Sequence, residues 1–427
     1  MKKKKGLAPY LSIIPGLGQF YNGQIAKGIV FLALFIIMVV ELALFGVSSL
    51  ISLVTLGTVP FQDNSLFLMI KGTMQLIITV VFVMFYVMNI VDASHTAKKV
   101  ERGEKIPISW GEFMHSIGDS GFPYLLSTPA YLLMLFTIVF PALVTLFMAF
   151  TNYGFLNNPP AHLLKWVGFK NFFSMFMLSG YKQTFLTVFG WTIVWTLCAT
   201  TLQIFLGIMT AVVLNQDYIK FKRIFGVIFL LPWAIPSFIS IMSFSNIFND
   251  SAGAMNVQVL GLLNHIPGVS IPPIAWLTDP MWTKVAIILI QGWLGFPYVY
   301  VLVTGILQSI PNELYEAATM DGATVLQKFN HITFPMILAV ASPFFVTQYT
   351  FNFNNFSMIY LFNNGGPGDV GGGAGGTDIL ISWIYKLTTG SAPQYSIAAA
   401  LTLLISVIII SISLIVFKKT KAFDLEG

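Results

Sequence analysis

One pattern of polar side chains lies inside an otherwise apolar segment near residue 350 of the 427-residue chain. Gln348, Asn352 and Asn355 are spaced i, i+4 and i+7, which places them on one face of a helix, with Phe351 beside them. Amides inside a membrane helix are costly unless they face protein or water. The pattern therefore requires either a polar cavity or a polar neighbouring helix.

A second pattern repeats this spacing earlier in the chain, where Gln291, Gly295 and Tyr298 share one helix face and Leu294 is adjacent. Amides can donate to and accept from sugar hydroxyls, and aromatic rings can lie against sugar ring faces. Interhelical hydrogen bonds that only hold a bundle together, at about 0.6–2 kcal/mol per contact, are the alternative. Because two such faces occur on neighbouring segments, we predict that they line one sugar-binding cavity.

Groupings typical of enzymes are missing from the sequence. It has no HExxH, no GxSxG and no cysteine–histidine cluster, and Cys198 is its only cysteine. The glycine-rich run 365–376 is not followed by Gly-Lys-Ser/Thr, so it lacks the residues that hold phosphate and magnesium in a P-loop. We expect that run to be a flexible external loop. The sequence predicts a chain that is not an enzyme and that binds no metal or cofactor.

The composition indicates a membrane protein, since 56% of the residues are hydrophobic and only 9% are charged, against about a quarter charged in a soluble domain. The net charge of +5 lies in clusters between apolar runs, which argues against nucleic-acid binding. We predict an all-α, polytopic membrane protein. Eight segments meet or approach the roughly 20 residues of a membrane helix: 28–55, 72–92, 123–150, 183–214, 223–247, 282–309, 335–361 and 395–417.

The basic clusters also predict the orientation. Those at 2–5, 98–105, 220–223 and 418–421 fall on one side of an eight-span arrangement, and basic clusters mark the cytoplasmic side. Both termini are therefore expected inside the cell. The stretch 15–24 has too many glycines for a confident helix and is expected to turn on the cytoplasmic surface. A docking role for that stretch is the alternative.

A cytoplasmic segment after the sixth span has the features of a helical finger. Pro311 suits the first turn of a helix, and Glu316 near that end complements the helix dipole. Ala317 and Ala318 leave a thin surface that another chain can approach, and Gly322 permits a sharp turn. From these residues alone, a well-capped connecting loop is an equally good interpretation.

This segment resembles the signature of the permease subunits of ABC importers, which is Glu-Ala-Ala, three residues, Gly, nine residues and Ile-x-Leu-Pro. The matching residues are Glu316, Ala317, Ala318, Gly322, Ile332, Phe334 and Pro335, with Phe in place of Leu as the only departure. The segments 293–298, 351–356 and 363–367 are similar to the MalF-type maltose and maltodextrin permeases, across roughly residues 120 to 420. The resemblance implies a type I ABC importer permease fold.

The resemblance also implies functional residues and partners. Glu316, Ala317, Ala318, Gly322 and Pro335 would couple the chain to an ATP-binding subunit. The expected partners are a second, MalG-like permease subunit, two ATP-binding subunits that use ATP and magnesium, an extracellular sugar-binding protein, an oligosaccharide and membrane lipid. The positions that match the family's sugar site are Gln291, Leu294, Gly295, Tyr298, Gln348, Phe351, Asn352 and Asn355.

Two departures from the family pattern limit these expectations. Gln291 and Gln348 stand where shorter Asn and Ser side chains are expected, so the chain length of the sugar stays open. The loop at 151–182 is short, whereas the enteric relatives have a folded domain there, and binding-protein contacts through such a domain are in doubt. The expected organisation is an N-terminal part with two additional spans, 1–120, and a permease domain, 121–427, that contains the coupling loop 309–335.

An ion-coupled secondary transporter is the main alternative, because it would need a buried carboxylate. Glu41 is the only acidic residue deep in a predicted span, about 20 Å into the first helix. We favour a structural Glu41 that pairs with a neighbouring span. A membrane enzyme is disfavoured, since no grouping of acid, base and nucleophile is visible.

Overall fold

The computed structural model describes residues 7–119, 121–216 and 218–420, and those residues are mostly helical, with one small β-hairpin. The chain forms two compact units, Met1–Gly168 and Phe169–Gly427. Within the described ranges, seven helical segments are long and apolar enough to cross a membrane, and an eighth is added if one sharply bent pair of helices forms a single span. The predicted all-α membrane class is confirmed.

The first unit consists of helices joined by short turns. Two of its long apolar segments continue through π-helical turns, at Leu42–Gly46 and Leu135–Val139. The α-helices of the first unit are α1 (Leu7–Leu11), α2 (Leu17–Asn22), α3 (Ile25–Glu41), α4 (Val47–Thr55), α5 (Ser65–Glu101), α6 (Trp110–Asp119), α7 (Phe122–Met134) and α8 (Phe140–Ala149).

The glycine-rich N-terminal stretch is more helical than predicted. Residues 17–22 form α2, which ends at Gly23 in the left-handed conformation (φ 94°) that glycine adopts without strain. The turn before the first span is present, and it contains a helix for which the glycines had given no confident prediction. Polar contacts with α5 stabilise the stretch, and a local sequence pattern does not reveal them.

The second unit contains the region of the two predicted polar faces. Its α-helices are α9 (Lys170–Met177), α10 (Ser179–Leu214), α11 (Lys222–Ala234), α12 (Ser237–Ile247), α13 (Gly261–Leu263), α14 (Pro280–Ser309), α15 (Asn312–Met320), α16 (Val325–Lys328), α17 (Phe334–Phe353), α18 (Phe356–Asn363), α19 (Leu380–Thr389) and α20 (Tyr395–Thr420). A π-helical turn precedes α13, and another, Phe329–Thr333, joins α16 to α17.

Two predicted spans are interrupted. The segment predicted at 223–247 is the pair α11 and α12, which are bent by 90° where Pro236 cannot donate a backbone hydrogen bond. The segment predicted at 335–361 is α17 and α18, separated at Asn354 and Asn355. The side chain of Asn355 accepts from the backbone N–H of Met358 at 3.2 Å and so caps α18.

The glycine-rich run is an ordered hairpin and not the flexible loop that we expected. Strands β1 (Asp369–Gly371) and β2 (Ala374–Gly375) pair antiparallel. Trp383 Nε1 donates to the carbonyl of Gly372 at 2.8 Å, and Trp191 Nε1 donates to the carbonyl of Thr377 at 3.0 Å. These indole contacts hold the run and the residue that follows it against α19 and α10, and composition alone does not reveal such contacts.

Candidate functional site

The predicted polar faces meet at a residue that the sequence analysis did not single out. Gln203 lies on α10, is 0% exposed, and accepts at Oε1 from Gln291 Nε2 at 3.3 Å and from Asn352 Nδ2 at 3.2 Å. Its Nε2 donates to Gln348 Oε1 at 3.0 Å. One side chain of α10 therefore joins α14 to α17.

Further hydrogen bonds complete this group. Asn355 Nδ2 donates to Gln291 Oε1 at 3.0 Å, and Asn352 Nδ2 also donates to Thr200 Oγ1 at 2.9 Å. Trp195 Nε1 donates to the backbone carbonyl of Asn352 at 2.8 Å. We call Gln203, Gln291, Gln348, Asn352 and Asn355 the amide cluster.

The amide cluster satisfies its own polar groups in this conformation. Because a buried amide without a partner costs about 1–3 kcal/mol, mutual pairing is what allows these side chains to lie between apolar helices. This is the arrangement expected of interhelical hydrogen bonding. A solute could bind these amides only if they exchanged partners with it.

Gly295 allows α10 and α14 to approach closely. A Cβ at this position would lie 2.1 Å from Gln203 Oε1, far inside van der Waals contact. The helices also touch at Gly207, where a Cβ would lie 2.4 Å from Val299 Cβ. Because the predicted site residue Gly295 has no side chain, it makes room for the side chain of Gln203.

The predicted aromatic residues lie in a different environment. Tyr298 is 45% exposed and Phe351 is 60% exposed. The ring of Tyr298 packs against Trp233 of α11, with centroids 4.7 Å apart. Leu294 is half-buried and packs against the hydrophobic core that includes Trp195. The structure thus gathers five of the eight predicted positions around Gln203 and leaves two aromatic side chains exposed.

The sequence contained a signal for the missing part of the cluster. Thr196, Thr200 and Gln203 are spaced i, i+4 and i+7, the same spacing as the two faces that were identified. All three are buried on α10. Threonine hydroxyls in membrane helices commonly bond to the backbone of their own helix. For this reason the pattern did not draw attention to Gln203, the one amide among these residues.

The predicted helical finger is present after α14. Pro311 precedes α15, and Gly322 turns the chain with φ 76° and no atom within 4 Å of the position of a Cβ. Thr324 and Gln327 form a capping box that starts α16. Glu316 is exposed on α15.

The finger combines an internal brace with an exposed tip. Tyr315 Oη and Thr333 Oγ1 are 3.0 Å apart, and Lys328 Nζ donates to Thr319 Oγ1 at 2.6 Å. Met320 at the tip is 88% exposed. A cavity of about 310 Å³ is lined by Ala318, Asp321, Gly322, Ala323, Gln327, Lys328, His331 and Ile332. Pro335, the last residue of the signature, lies in the first turn of α17.

Glu41 has the neighbouring-span partner that we expected. Its Oε2 accepts from Gln75 Nε2 of α5 at 3.2 Å, and Gln75 is buried. Within residues 7–119, 121–216 and 218–420, no group of three or more His, Cys, Asp or Glu side chains could hold a metal ion.

The chain is similar to known transport proteins. The model of the family "Binding-protein-dependent transport system inner membrane component" matches residues 203–421. The chain is 61% identical over 426 residues to the maltodextrin transport system permease protein MdxF of Bacillus subtilis, covering 100% of this chain and 98% of that protein. It is 48% identical over 424 residues to the galactooligosaccharides transport system permease protein GanP of the same organism, covering 99% of each.

More distant relatives share part of the chain. The maltose/maltodextrin transport system permease protein MalF of Yersinia pestis is 38% identical over 259 residues, which are 60% of this chain and 48% of that protein. A chain of a bacterial alginate ABC transporter, solved in complex with an alginate pentasaccharide-bound periplasmic protein, superimposes with a TM-score of 0.60 at 21% identity. That match covers 73% of this chain and 98% of the other, and it supports the type I importer permease fold.

These matches overturn the ion-coupled alternative, because the family consists of permeases that depend on an external binding protein and not of ion-driven carriers. The chain is accordingly a multi-pass membrane protein of the permease type, without a catalytic role of its own. It belongs to the family of binding-protein-dependent transport system inner membrane components, the permease subunits of ABC importers.

Proposed function

We propose that this chain forms half of the pathway by which oligosaccharides of the maltodextrin class are imported across the cell membrane. The observation that supports this substrate class most strongly is the 61% identity, over the whole chain, to a maltodextrin permease. A second maltodextrin permease, MalC of Streptococcus pneumoniae, is 58% identical over 426 residues. A neutral sugar suits a site of amides and aromatic rings without charge.

The proposed sugar site consists of Gln291, Leu294, Gly295, Tyr298, Gln348, Phe351, Asn352 and Asn355. The exposed rings of Tyr298 and Phe351 would contact the sugar first. The amides now bound to one another would then exchange those bonds for sugar hydroxyls, so that few polar groups are left unpaired at any step. Gln203 would be a positioning residue for this exchange.

Coupling to ATP is proposed to act through the finger. Its residues Glu316, Ala317, Ala318 and Gly322, with Pro335 at the base, would seat against an ATP-binding partner that binds ATP and magnesium and hydrolyses ATP. The finger is continuous with α17 through the π-helical turn at Phe329–Thr333. Motion of the finger would therefore reach Asn352 through one helical segment.

The complete importer is proposed to contain further chains. These are a second, MalG-like permease subunit, two ATP-binding subunits and an external sugar-binding protein. Both termini of this chain are assigned to the cytoplasm. Residues 121–427 are assigned as the permease domain, with the coupling loop at 309–335, and residues 1–120 as an N-terminal addition with two further spans.

A second candidate substrate is a galactooligosaccharide. It is favoured by the 48% identity, over 99% of the chain, to a galactooligosaccharide permease. Both substrates are neutral, and the same amide and aromatic groups could bind either. The identity values favour maltodextrin.

Uptake measurements in cells separate the two candidates. Cells that lack this chain should lose uptake of labelled maltotriose and regain it when the chain is restored with its partner subunits. Excess unlabelled maltotetraose should compete, and an excess of a β-galactotriose should not. If only the galactoside competed, the galactooligosaccharide would become the favoured substrate. Unchanged uptake in cells that lack this chain would reject both candidates.

A further inference from the structure

Trp233 of α11 contacts the proposed sugar site, although it belongs to neither of the predicted polar faces. Its ring centroid lies 4.7 Å from that of Tyr298 on α14, and the two ring planes are inclined by 47°. Trp233 is 49% exposed and Tyr298 is 45% exposed, so the chain leaves about half of each side chain uncovered. We call these two residues the aromatic pair. They form an aromatic surface that is larger than Tyr298 alone.

Packing between α11 and α14 fixes the position of Trp233. Phe229, one turn earlier on α11, packs edge-on against Phe296 at 6.1 Å and against Tyr300 at 6.4 Å between ring centroids. Both of these partners are buried. A Cβ at Gly226 would lie 3.2 Å from the hydroxyl of Tyr300, so the two helices are close there as well. The protein therefore holds the aromatic pair in place before any ligand binds.

The indole N–H of Trp233 differs from those of the buried tryptophans in the second unit. Those N–H groups all donate to acceptors in the chain, at 2.8 to 3.0 Å, from Trp191, Trp195, Trp276 and Trp383. Within the part of the chain that the structure describes, neither Nε1 of Trp233 nor the hydroxyl of Tyr298 has a hydrogen-bond partner. The aromatic pair thus combines apolar ring faces with two free polar groups, which suits a sugar.

The aromatic pair lies beside a break in a membrane span. Trp233 is ten residues after Arg223, or about 15 Å along the helix, which is half of the roughly 30 Å hydrocarbon core. Ile235 is extended (φ −99°, ψ 132°) and Pro236 has no N–H, so the carbonyl of Pro232 loses its helical donor. Backbone of this kind is tolerated at membrane depth against protein or water and not against lipid. The exposed side of the break is therefore not a lipid-facing surface.

The helix face of Tyr298 favours the solute pathway as the space that the aromatic pair faces. Tyr298 follows Gln291 by seven residues, so both lie on one face of α14, about 10 Å apart along the helix. Tyr298 therefore lies at the end of the proposed sugar site that is away from Gln291. Trp233 extends the site beyond that end.

This position makes contact with Trp233 depend on the length of the sugar. An oligosaccharide held by the amides near Gln291 must extend along α14 before one of its units reaches the indole. Successive rings of an α-1,4-linked glucan are inclined to one another because the bond at C1 is axial. Two inclined aromatic planes can therefore each lie against one ring of such a chain, and the indole N–H can donate to a sugar hydroxyl.

We propose that Trp233 is a further sugar-contacting residue and that it determines how strongly the transporter favours longer maltodextrins. The indole lies against the glucosyl unit furthest from the amide cluster, and Nε1 donates to a hydroxyl of that unit. This inference rests on the proposed function and adds a chain-length specificity to it.

Uptake from a mixture of sugars tests this role. Proteoliposomes that contain the assembled transporter and ATP are given binding protein and labelled maltodextrins of graded length, and the imported chains are separated by size. Trp233→Leu keeps an apolar side chain but has no ring. It should lower import of the longest chains roughly tenfold relative to the shortest imported chain, the loss expected for one aromatic contact. Trp233→Phe should keep most of the preference for long chains.

The length profile separates a sugar contact from a packing role. A packing residue would affect every sugar alike, so a loss that is equal at all lengths in Trp233→Leu would overturn the proposal. An unaltered profile with uptake intact would reject this inference alone. Absence of maltodextrin uptake by the unchanged chain would reject the proposed function, and this inference with it.

Chemical access shows which surface the side chain faces. In the assembled transporter with Cys198→Ala, Trp233→Cys should react with a charged methanethiosulfonate, because the solute pathway contains water. Ile228→Cys is the matched control, since Ile228 is 47% exposed but lies five residues earlier, about 140° around α11. The control should react far more slowly. Equal rates at the two positions, or no reaction at position 233 with or without ATP, would overturn the assignment of Trp233 to the pathway.

Discussion

The amide cluster and the tip of the finger belong to the same compact unit but differ in the exposure of their residues. In the cluster, Gln203 and Asn352 are buried and paired with their neighbours at 2.9 to 3.3 Å. At the tip, Met320 is 88% exposed and Gly322 faces open space. The amides of the first region bond to partners within this chain, whereas the second region leaves an apolar side chain exposed. Under the proposed function, sugar binding would have to break existing hydrogen bonds in the amide cluster, whereas a partner at the finger would cover side chains that are already exposed.

The largest expected effect comes from breaking the cluster. Asn352→Ala removes the donor to Thr200 and Gln203 and leaves buried groups unpaired, at about 1–3 kcal/mol for each group. We expect early thermal unfolding of the purified complex together with loss of maltotriose uptake. Asn354→Ala is the matched control, since Asn354 is exposed and bonds only within its own helix, to Thr350. Equal melting of the two variants would contradict the account of the cluster.

Removal of an exposed ring should separate binding from stability. Tyr298→Ala should weaken sugar binding roughly tenfold to a hundredfold, by about 1–3 kcal/mol, with little change in melting temperature because the ring is 45% exposed. Phe351→Ala should behave alike, and Tyr298→Phe should retain most uptake if ring stacking dominates. Concentration-dependent uptake measures the first effect and detergent melting the second. Early melting with uptake proportional to the surviving protein would show that the rings are packing residues.

A change at the finger should affect coupling and not the cluster. Gly322→Val forces a β-branched residue to φ 76°, at a cost of about 1–3 kcal/mol without any clash. We expect less ATP-binding subunit to co-purify and uptake to fall, with normal insertion in the membrane. Gly322→Asn, which tolerates this conformation better, should be milder. If as much ATP-binding subunit co-purifies with Gly322→Val as with the unchanged chain, the finger is only a connecting loop.

The smallest effect is expected at Glu41, although it is acidic and lies within a span. Glu41→Gln keeps an acceptor for Gln75 Nε2, so both stability and uptake should change little. Uptake at constant ATP, with and without an uncoupler, measures the role of the carboxylate. A collapse of uptake in a variant that still inserts would indicate that an ion gradient contributes.

Much of the fold could be predicted because membrane spans are long and apolar. The predicted segment 282–309 corresponds to α14, Pro280–Ser309, within two residues. Breaks were harder to foresee, since proline also occurs inside intact helices such as α14, at Pro297. Whether Pro236 bends the chain depends on what the freed carbonyls contact, and that is a tertiary property.

The sequence predicted which residues of the candidate site share a helix face, but it did not predict their hydrogen-bond partner on another helix. Helical spacing correctly placed Gln348, Asn352 and Asn355 together, yet Gln203, which bonds to Gln348 and Asn352, lies about 150 residues away in the chain. The same limit applied to the glycine-rich stretch 15–24, where Gln19 of α2 donates to Asn89 and Asp92 of α5. Helical periodicity predicts which residues lie on one face of a helix. Which helices contact each other is seen only in the three-dimensional structure.

The central claim is that this chain belongs to an importer that uses ATP to move maltodextrin inward. The most direct measurement uses proteoliposomes that contain the purified complex, ATP inside, and binding protein with labelled maltotriose outside. We expect accumulation of maltotriose that requires ATP and persists when an ionophore removes all ion gradients. Accumulation that is lost with the ionophore at constant ATP, or that is absent for maltotriose but present for a galactooligosaccharide, would contradict it.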